Sequence, residues 1–412
     1  MRFRYSTEAN GKLVKKAEVY TVDEHRINYA DVDPQAVYIT RELQSRGYET
    51  YIVGGAVRDL ILGKKPKDFD IASSANPQKI RRIFRNSRII GRRFRLVHIF
   101  FGSKIIEVST FRSLIDGPTS NTFGSIDEDV QRRDFTLNAL FYDPQKQVVV
   151  DFLGGMKDIR KGCIRPIIPL SHIFTDDPVR MIRAVKYSVI TNFKLPMSLR
   201  ARIKKCSLLL EAVSPSRLTE EIFKIIHSPN VDKIIEALDD LGLYQYLQPL
   251  ACEQFKTNPG FKKRYFNTLE LLAKNSHGGF KEASQAEAIL ALIRNYMEDM
   301  APWKELLSED GSPHSSQMDI LKKSFALARK FVLPMNPPKV YLFNAIKILL
   351  SEHGIIIKKL RLRNRPKKSL AKEAKEKDSK DKGLMESILP EQKKKRRKTK
   401  RKKTLSQDSK IG

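Results

Sequence analysis

Residues 51–73 read YIVGGAVRDLILGKKPKDFDIAS, and no other stretch of the sequence is as informative. Three strand-forming residues lead into Gly54 and Gly55, where the absence of a Cβ permits a sharp turn and leaves backbone N–H groups accessible. Residues 57–62 are long enough for one or two helical turns, and Gly63 stands where a helix C-cap would. The pattern predicts a strand, a glycine turn, a short helix and a second strand.

Two carboxylates follow this turn. Asp68 and Asp70 alternate with Phe69 and Ile71, which is the period of a strand and places both carboxylates on one face. Like charges side by side are unfavourable unless a cation lies between them, and Mg²⁺ prefers carboxylate and phosphate oxygens. An Asp-x-Asp alone is most often a solvated strand end, and a Gly-Gly turn alone is equally unspecific. A glycine turn suited to phosphates beside an Asp-x-Asp suited to a metal indicates nucleotide chemistry.

Together, GGAVRD and DFD resemble the motifs of the nucleotidyltransferase branch that holds bacterial poly(A) polymerases and class II CCA-adding enzymes. The resemblance extends from Asp31 to Lys224. It implies an α+β nucleotidyltransferase head with a small mixed β-sheet, followed by an all-α neck and body. It also implies two Mg²⁺ ions as cofactors, ATP as a substrate and RNA 3′ ends as partners.

Further polar residues extend the resemblance. Glu107 interrupts the apolar run KIIEV, where it pairs either with an arginine or, as in the family, with the metal. DEDVQRRDFTLNAL at 127–140 matches the family's DxxxxRRD pattern, and arginine forks such as Arg133 suit triphosphate oxygens. Asp134 and Asn138 are expected on one helix face, where they suit ribose hydroxyl groups. An ordinary charged helix start is the alternative explanation.

DDPVRMIRAVKYSVI at 176–190 predicts a helix and resembles the family's neck helix, whose ED-x-x-R signature contacts the incoming base. Asp177 and Arg180 match that signature, and Arg183 lies on the same face. Acceptors on one side chain and donors on another can read a base edge without a template. A helix cap beside a solvated arginine is the alternative here. In the next helix, surface ion pairs are expected between the carboxylates Glu220 and Glu221 and the cations Arg217 and Lys224.

The resemblance implies a role for each matching residue. The catalytic residues are Asp68, Asp70 and Asp134, and the metal ligands are Asp68, Asp70 and Glu107. The triphosphate is held by Gly54, Gly55, Arg58, Arg133 and Asn138, and the base is bound by Asp177, Arg180 and Arg183. Glu107 and Asp134 compete for the third acidic role.

Five segments are predicted along the chain. They are an extended N-terminal arm at 1–30, the catalytic head at 31–165, a helical neck that binds base and RNA at 166–228, a helical body at 229–357 and a disordered basic tail at 358–412. The arm is basic and weakly patterned. The body shows helical periodicity without a motif.

The net charge is +30, of which +16 falls in residues 358–412. Such an excess indicates a polyanionic partner. Residues 393–403, KKKRRKTKRKK, repel one another and bury nothing, so disorder and sequence-independent binding of RNA phosphates are expected. The candidate RNA-binding residues are Lys393, Lys394, Lys395, Arg396, Arg397 and Lys398. A nuclear-localisation signal is a second interpretation of this composition.

Composition excludes several other classes. No run of eighteen apolar residues predicts a membrane span, and the N-terminus lacks the apolar region of a signal peptide. The three cysteines are scattered and show no metal-binding spacing, which favours a reducing compartment. A cytoplasmic location is therefore expected.

The favoured function is template-independent addition of AMP from ATP to RNA 3′ ends, as in mRNA polyadenylation and RNA decay. The segment IIGRRFRLVHIFFG at 89–102 resembles bacterial poly(A) polymerases, and a basic tail suits many RNA ends. The first alternative is a tRNA CCA-adding nucleotidyltransferase. Further alternatives are an RNA-binding protein with an inactive head and a DxD-dependent sugar-phosphate or protein transferase, against which the DxxxxRRD and DDPVR patterns count.

Overall fold

The computed structural model describes residues 2–7, 13–91, 96–113, 122–277, 284–300 and 317–357. The predicted basic tail at 358–412 lies outside the described residues, and with it the six candidate RNA-binding residues at 393–398. Residues 92–95, within the segment IIGRRFRLVHIFFG at 89–102, lie outside them too. All three cysteines are described, and each is a free thiol.

Within the described residues, nine strands form one mixed sheet in the order β1-β2-β9-β8-β3-β4-β7-β6-β5. In chain order the strands are β1 (Arg2–Thr7), β2 (Leu13–Tyr20), β3 (Thr50–Val53), β4 (Asp70–Ser73), β5 (Ser87–Ile90), β6 (Leu96–Phe101), β7 (Lys104–Thr110), β8 (Leu140–Asp143) and β9 (Val148–Asp151). Neighbours are antiparallel except β4 and β7, which run parallel. The α+β head with a mixed sheet is confirmed, but the sheet is larger than the small one expected.

The prediction of an extended N-terminal arm over 1–30 is wrong. The strands β1 and β2 pair as an antiparallel hairpin, and β2 continues the head sheet by pairing with β9. Ala17 and Tyr20 of β2 are buried against the head, whereas the charged side chains of Lys15 and Lys16 are exposed. These lysines hide the strand period in the sequence, because an edge hairpin needs few apolar positions to dock.

The described residues of the head contain six short to medium helices. They are α1 (Val22–His25), α2 (Pro34–Gln44), α3 (Gly55–Ile61), α4 (Pro77–Ile83), α5 (Ile126–Gln131) and α6 (Gly155–Lys161), with short 3-10 turns at Tyr29–Asp31 and Thr136–Asn138. The Asp33 carboxylate accepts from two N–H groups of the first turn of α2, and the Asn76 side chain accepts from the Lys79 N–H of α4. A proline at the first position follows each cap, where its fixed φ favours the start of a helix.

The remainder of the described chain is helical. Its helices are α7 (Ile173–Asp176), α8 (Val179–Thr191), α9 (Met197–Cys206), α10 (Pro215–Ile226), α11 (Val231–Asp240), α12 (Pro249–Thr257), α13 (Pro259–His277), α14 (Gln285–Asp299), α15 (Gln317–Val332) and α16 (Lys339–Glu352), with 3-10 turns at Ser207–Ala212 and Tyr244–Tyr246. The helix α8 packs against α10 and α11, and α14 packs against α13, α15 and α16. This confirms an all-α region, while the divisions near 166 and 229 stay predictions.

Among the described helices, none has both the length and the apolar character that crossing a membrane requires.

Candidate functional site

The glycine turn lies directly beside one of the two aspartates. Gly54 has φ 74°, a conformation that costs glycine little, and α3 begins at the next residue. The register pairs Val53 of β3 with Asp70 of β4. A Cβ built on Gly54 would lie 3.8 Å from Asp70 Oδ2. The turn therefore brings unshielded backbone close to the Asp70 carboxylate, as the sequence predicts.

Three carboxylates approach one another at this edge of the sheet. The parallel register places Glu107 of β7 beside Asp70, the first residue of β4, and Asp68 lies two residues before that strand begins. Local desolvation, together with the charges of Glu107 and Asp68, raises the pKa of Asp70 to about 6. Neither Asp68 nor Asp70 has a hydrogen-bond or ion-pair partner among the described residues. The charges of Arg133 and Lys224 offset the repulsion at Asp70 only in part, because neither cation pairs directly with it.

A hard divalent cation fits the chemistry of these donors, because it would supply the missing positive charge. Within the described part of the chain, however, no three carboxylate, imidazole or thiol groups are arranged closely enough to enclose a metal ion. Glu107 is already engaged, since its Oε1 lies 3.0 Å from His98 Nε2. Asp68 and Asp70 are therefore the available pair, and Glu107 would have to exchange its histidine partner to join them.

Asp68 and Asp70 line a cleft of about 1000 Å³, large enough for a nucleotide-sized ligand. The head contributes Gly55, Arg58, Asp59, Asp68 and Asp70, and the facing helices α8 and α10 contribute Arg183, Lys186, Tyr187, Glu220, Glu221 and Lys224. Both walls carry charges of both signs, because the head also contributes Lys67 beside Arg58 and its three aspartates, and the helices carry three cations and two glutamates. Such a cleft can hold a polyphosphate between its two walls.

Arg58 lines the cleft but is itself nearly fully buried. Its Nη1 donates to Asn138 Oδ1 at 2.8 Å, and its Nε donates to Asp59 Oδ1 at 2.8 Å. The guanidinium is also 5.3 Å from the centre of the Tyr187 ring. Arg58 is therefore held rigidly between α3 and α8. Asn138 is occupied in positioning it, and its predicted role towards the ligand stays a prediction.

The expectation that Asp134 and Asn138 share a helix is wrong. The helix α5 ends at Gln131, and Asp134 lies in the connection to a 3-10 turn, because the buried Phe135 leads the chain back towards β8. The two side chains still meet, with Asn138 Nδ2 donating to Asp134 Oδ1 at 3.4 Å.

Asp134 joins the head to α8. Its Oδ2 lies 2.9 Å from Arg183 Nη2, and the Asp134 charge raises the pKa of Arg183 well above its usual value. Arg133 is paired with Asp129 at 2.9 Å and donates to the Asn138 carbonyl at 3.2 Å. Asp134 and Arg133 thus stand behind the cleft wall, whereas Arg183 reaches the cleft itself.

The other two predicted base-binding residues are engaged away from the cleft lining. Asp177 lies in extended backbone between α7 and α8, so α8 begins later than the sequence pattern suggests. Its carboxylate accepts from Arg217 Nη2 at 2.8 and 2.9 Å. Arg180 is buried and donates to the carbonyl groups of Ile173 and Arg132. A role of these residues in binding a base stays a prediction.

Lys186 and Glu221 are cleft residues that sequence reasoning missed. Both are buried, and Lys186 Nζ lies 3.0 Å from Glu221 Oε2. Of the expected surface pairs, Lys224 pairs with Glu220 and also with Glu221, although Glu221 is buried, whereas Arg217 pairs with Asp177. The position of Glu221 within the apolar stripe of α10 was the only local sign in the sequence that this residue is buried. Its partner, 35 residues earlier in the chain, was not visible in the pattern.

Comparison with known proteins supplies the family. Residues 50–165 match the model of the poly A polymerase head domain, and residues 192–255 match that of a probable RNA and SrmB binding site of polymerase A. The two matched segments, which together span less than half of the chain, resemble the nucleotidyltransferase family of poly(A) polymerases and CCA-adding enzymes. The matched head domain contains the glycine turn and all three clustered carboxylates.

Curated members of this family carry two kinds of name. Poly(A) polymerase I of Escherichia coli O6:H1 is 40% identical over 272 residues, which is 62% of this chain and 58% of that protein. The Haemophilus influenzae poly(A) polymerase I is 38% identical, covering 56% of this chain and 54% of that one. A Geobacillus kaustophilus CCA-adding enzyme is 36% identical, covering 53% and 55%. This chain spans little more than half the length of each.

Solved structures of family members share the fold. The Bacillus stearothermophilus CCA-adding enzyme in complex with CTP has a TM-score of 0.52 at 26% identity, covering 78% of this chain and 83% of that one. The Thermotoga maritima CCA-adding enzyme complexed with tRNA has a TM-score of 0.51 at 21% identity, covering 86% and 90%. The second similarity concerns the fold alone.

Proposed function

We propose that this chain is an RNA nucleotidyltransferase that adds AMP from ATP to RNA 3′ ends without a template. The observation that carries the proposal is the position of Asp68 and Asp70. Two carboxylates without protein partners among the described residues lie beside a glycine turn, on one wall of a nucleotide-sized cleft. The family membership of the head supports the same chemistry.

In the proposed site, the metal-binding carboxylates lie on the head and the phosphate-binding cations lie on the facing helices. Asp68 and Asp70, with Glu107 after release from His98, would hold Mg²⁺, which activates an attacking hydroxyl and neutralises a leaving pyrophosphate. With a pKa of about 6, Asp70 is ionised near neutral pH and ready to accept a cation. Across the cleft, Arg183 and Lys224 face the space in which phosphate oxygens would lie.

The backbone and the buried arginine position the nucleotide in this proposal. The N–H groups of the Gly54–Gly55 turn lie at the start of α3, where exposed N–H groups favour anions. Arg58 is fixed by Asn138 and Asp59, so its position does not depend on the ligand. Asp177 and Arg180 would read the base only after Asp177 exchanges Arg217 for the ligand.

ATP is favoured over CTP as the substrate because the poly(A) polymerase relatives are 38–40% identical, against 36–37% for the CCA-adding enzymes. Addition of CCA to tRNA is the second candidate. It is supported by the fold similarity to CCA-adding enzymes, including a CTP complex at 26% identity. A cytoplasmic location stays a prediction.

Extension of two labelled RNAs with each nucleoside triphosphate separately tests this choice. One RNA is of generic sequence, and the other is a tRNA that lacks its terminal CCA. We expect long tails on the generic RNA with ATP alone. Addition of two C and one A, confined to the tRNA, would instead establish the CCA-adding alternative. Absence of any extension with either RNA would contradict both.

A further inference from the structure

The N-terminal hairpin exposes two aromatic side chains at the edge of the head sheet. Phe3 is 41% exposed and Tyr5 is 53% exposed, and they alternate along β1 so that they share a face. Their ring centres are 6.3 Å apart. On the other face, Arg4 Nη1 donates to Glu49 Oε1 at 2.6 Å, which ties the strand to the head. The two rings are thus held in place and face solvent.

One lysine contacts these rings, and further cations line a neighbouring cavity. Lys15 pairs with Tyr5 across the hairpin, and its Nζ lies 3.9 Å from the centre of the Phe3 ring. Beyond it, a cavity of about 490 Å³ separates β2 from α6. Its cationic lining residues are Lys15, Lys16, Lys157, Lys161 and Arg165, and its acidic ones are Glu18, Asp151 and Asp158. Lys15 links the two features, because its ammonium group lies over the Phe3 ring and it also lines the cavity.

The acidic residues of this cavity are already satisfied by the protein. Asp151 accepts from the N–H groups of residues 153–156, and Asp158 accepts from Arg165 and Thr136. Glu18 accepts from Lys157, Tyr20 and Lys15.

Two of the cations are not neutralised in this way. Lys16 and Lys161 are exposed, and neither has an ion-pair partner among the described residues. The cavity consequently presents positive charge without a counterion from the described part of the chain, next to two exposed aromatic rings.

We propose that Phe3, Tyr5, Lys15, Lys16 and Lys161, here called the hairpin platform, bind single-stranded RNA upstream of its 3′ end. Aromatic faces stack bases of any sequence, and flanking lysines contact the phosphates of the same strand. This inference rests on RNA being the substrate, as proposed above.

The platform is a subsite separate from the reaction cleft. Five strand spacings separate β1 from β4 in the sheet order, which is about 24 Å at the usual spacing. Tyr5 and Asp70 therefore cannot contact the same nucleotide. RNA that reaches both would lie along the head with its 3′ end in the cleft.

Equilibrium binding of single-stranded RNA to the full chain, without nucleoside triphosphate, tests the platform. The variant Phe3→Leu/Tyr5→Leu keeps apolar side chains but removes both aromatic faces. We expect at least a fivefold loss of affinity for a 20-nucleotide RNA, with an unchanged salt dependence. The variant Tyr38→Leu is the control, because Tyr38 is also an exposed tyrosine near an arginine but lies on α2, against the opposite end of the sheet.

The lysines have a different expected signature. Neutralising two phosphate-binding charges in Lys16→Gln/Lys161→Gln should make the slope of log K against log salt shallower by about 1.4. Each variant should unfold at the same temperature as the wild type. A loss of binding then comes from the altered surface and not from loss of the fold.

Crosslinking gives the position of the RNA. A single 4-thiouridine placed several nucleotides upstream of the 3′ end should form an adduct with the peptide that contains Phe3 and Tyr5, and one at the 3′ end should not. Wild-type affinity in both variants, or an adduct only with the 3′-terminal probe, would overturn the proposal. So would variants that change the sedimentation of the chain alone, because the surface would then join two copies of it.

The outcome is independent of catalysis. If the platform variants bind RNA as the wild type does and AMP transfer is intact, the platform proposal is wrong and the proposed function stands. If the platform variants bind RNA more weakly but the wild-type chain transfers no nucleotide, the platform proposal stands and the proposed function is wrong.

Discussion

The ionised form of the Asp70 side chain is in an unfavourable electrostatic environment at the cleft wall. Its neighbours in the sheet and along the chain, Glu107 and Asp68, are both acidic, and no described cation pairs with it. Its pKa is raised to about 6, so the folded state holds the proton more tightly than the unfolded chain does. The site is arranged for a ligand cation at a cost in stability.

This cost predicts how stability depends on pH in the absence of divalent cations. Because the folded pKa is raised, the contribution of Asp70 is favourable below its ordinary value of 3.8 and is lost as pH rises through about 6. Asp70→Asn should therefore raise the free energy of unfolding at pH 7.5 by on the order of 1 kcal/mol, a figure that allows for solvent screening. The gain should vanish near pH 4, as measured by chemical denaturation in EDTA.

The matched control is Asp31→Asn, since Asp31 is exposed and has no ion-pair partner among the described residues. Its effect should be small. If Asp70→Asn instead destabilises the protein at pH 7.5, the carboxylate has a structural partner and the account of an uncompensated charge is wrong.

At this scale the sequence predicts the reactive carboxylates better than their surroundings. Asp68 and Asp70 are found because a two-residue period and a nearby glycine turn are local patterns. The ion pair between Asp134 and Arg183 is not found, since its members are 49 residues apart and meet only when α8 packs on the head. The same holds for Glu107, whose partner His98 depends on strand pairing.

The helices α8 and α10 are joined across the cleft floor by a buried ion pair. Burial works to raise the pKa of Glu221, but the charges of Lys186, Lys224 and Arg183 together hold it below its usual value. Lys224 Nζ is also 3.4 Å from Glu221 Oε1, so Glu221 has two cationic partners. The packing of these two helices therefore depends on this carboxylate.

Removal of that charge should be costly. Glu221→Gln leaves Lys186 buried without a counterion and should lower the free energy of unfolding by about 3 kcal/mol or more. Lys186→Met should cost less, because Lys224 still faces Glu221. The double variant should be more stable than the sum of the two single losses predicts. Urea denaturation of all three variants measures these differences.

A surface pair provides the comparison. Arg46, just after the end of α2, lies 2.7 Å from Glu42 on its last turn; Arg46 is exposed and Glu42 is partly exposed, so Glu42→Gln should cost less than about 1 kcal/mol. Equal losses for Glu42→Gln and Glu221→Gln would contradict the idea that burial makes the second pair important.

At the level of elements, capping and periodicity predict most of the chain. The helices α2 and α4 follow their Asp-Pro and Asn-Pro signals because a cap acts within one turn. The N-terminal hairpin escapes prediction, since its exposed lysines break the apolar alternation and its register depends on β9. The 3-10 turn after Asp134 escapes it for a similar reason, because the buried Phe135 sets the direction of the chain there.

The whole molecule combines a nucleotide-sized cleft with a strong positive charge. The cleft forms between head residues near position 60 and helices beyond position 180, so its shape is a tertiary property that no single segment encodes. The charge, in contrast, is read directly from composition. Residues 1–356 form one compact unit, and the most basic segment of the sequence lies beyond it.

Deletion of residues 393–412 should weaken RNA binding without destabilising the compact unit. These residues contain the run KKKRRKTKRKK, and the salt slope should fall by about 0.7 for every RNA phosphate that the run neutralises. We expect roughly a tenfold or greater loss of RNA affinity at low salt, with unchanged thermal unfolding. Fluorescence anisotropy over a series of salt concentrations measures the affinity and the slope.

A variant with glutamine in place of those ten basic residues separates charge from length. It should behave like the deletion. A salt slope equal to that of the wild type in either variant would show that the tail does not bind RNA phosphates.

The most direct test of the central claim is Mg²⁺-dependent transfer of AMP to a labelled RNA by the wild type, Asp70→Asn and Asp31→Asn. The wild type and Asp31→Asn should extend the RNA only when a divalent cation is present. Asp70→Asn should lower the rate by more than about a hundredfold, because several kcal/mol of transition-state stabilisation pass through this carboxylate, while RNA binding stays unchanged. Turnover by Asp70→Asn within tenfold of the wild type would contradict the assignment of the site.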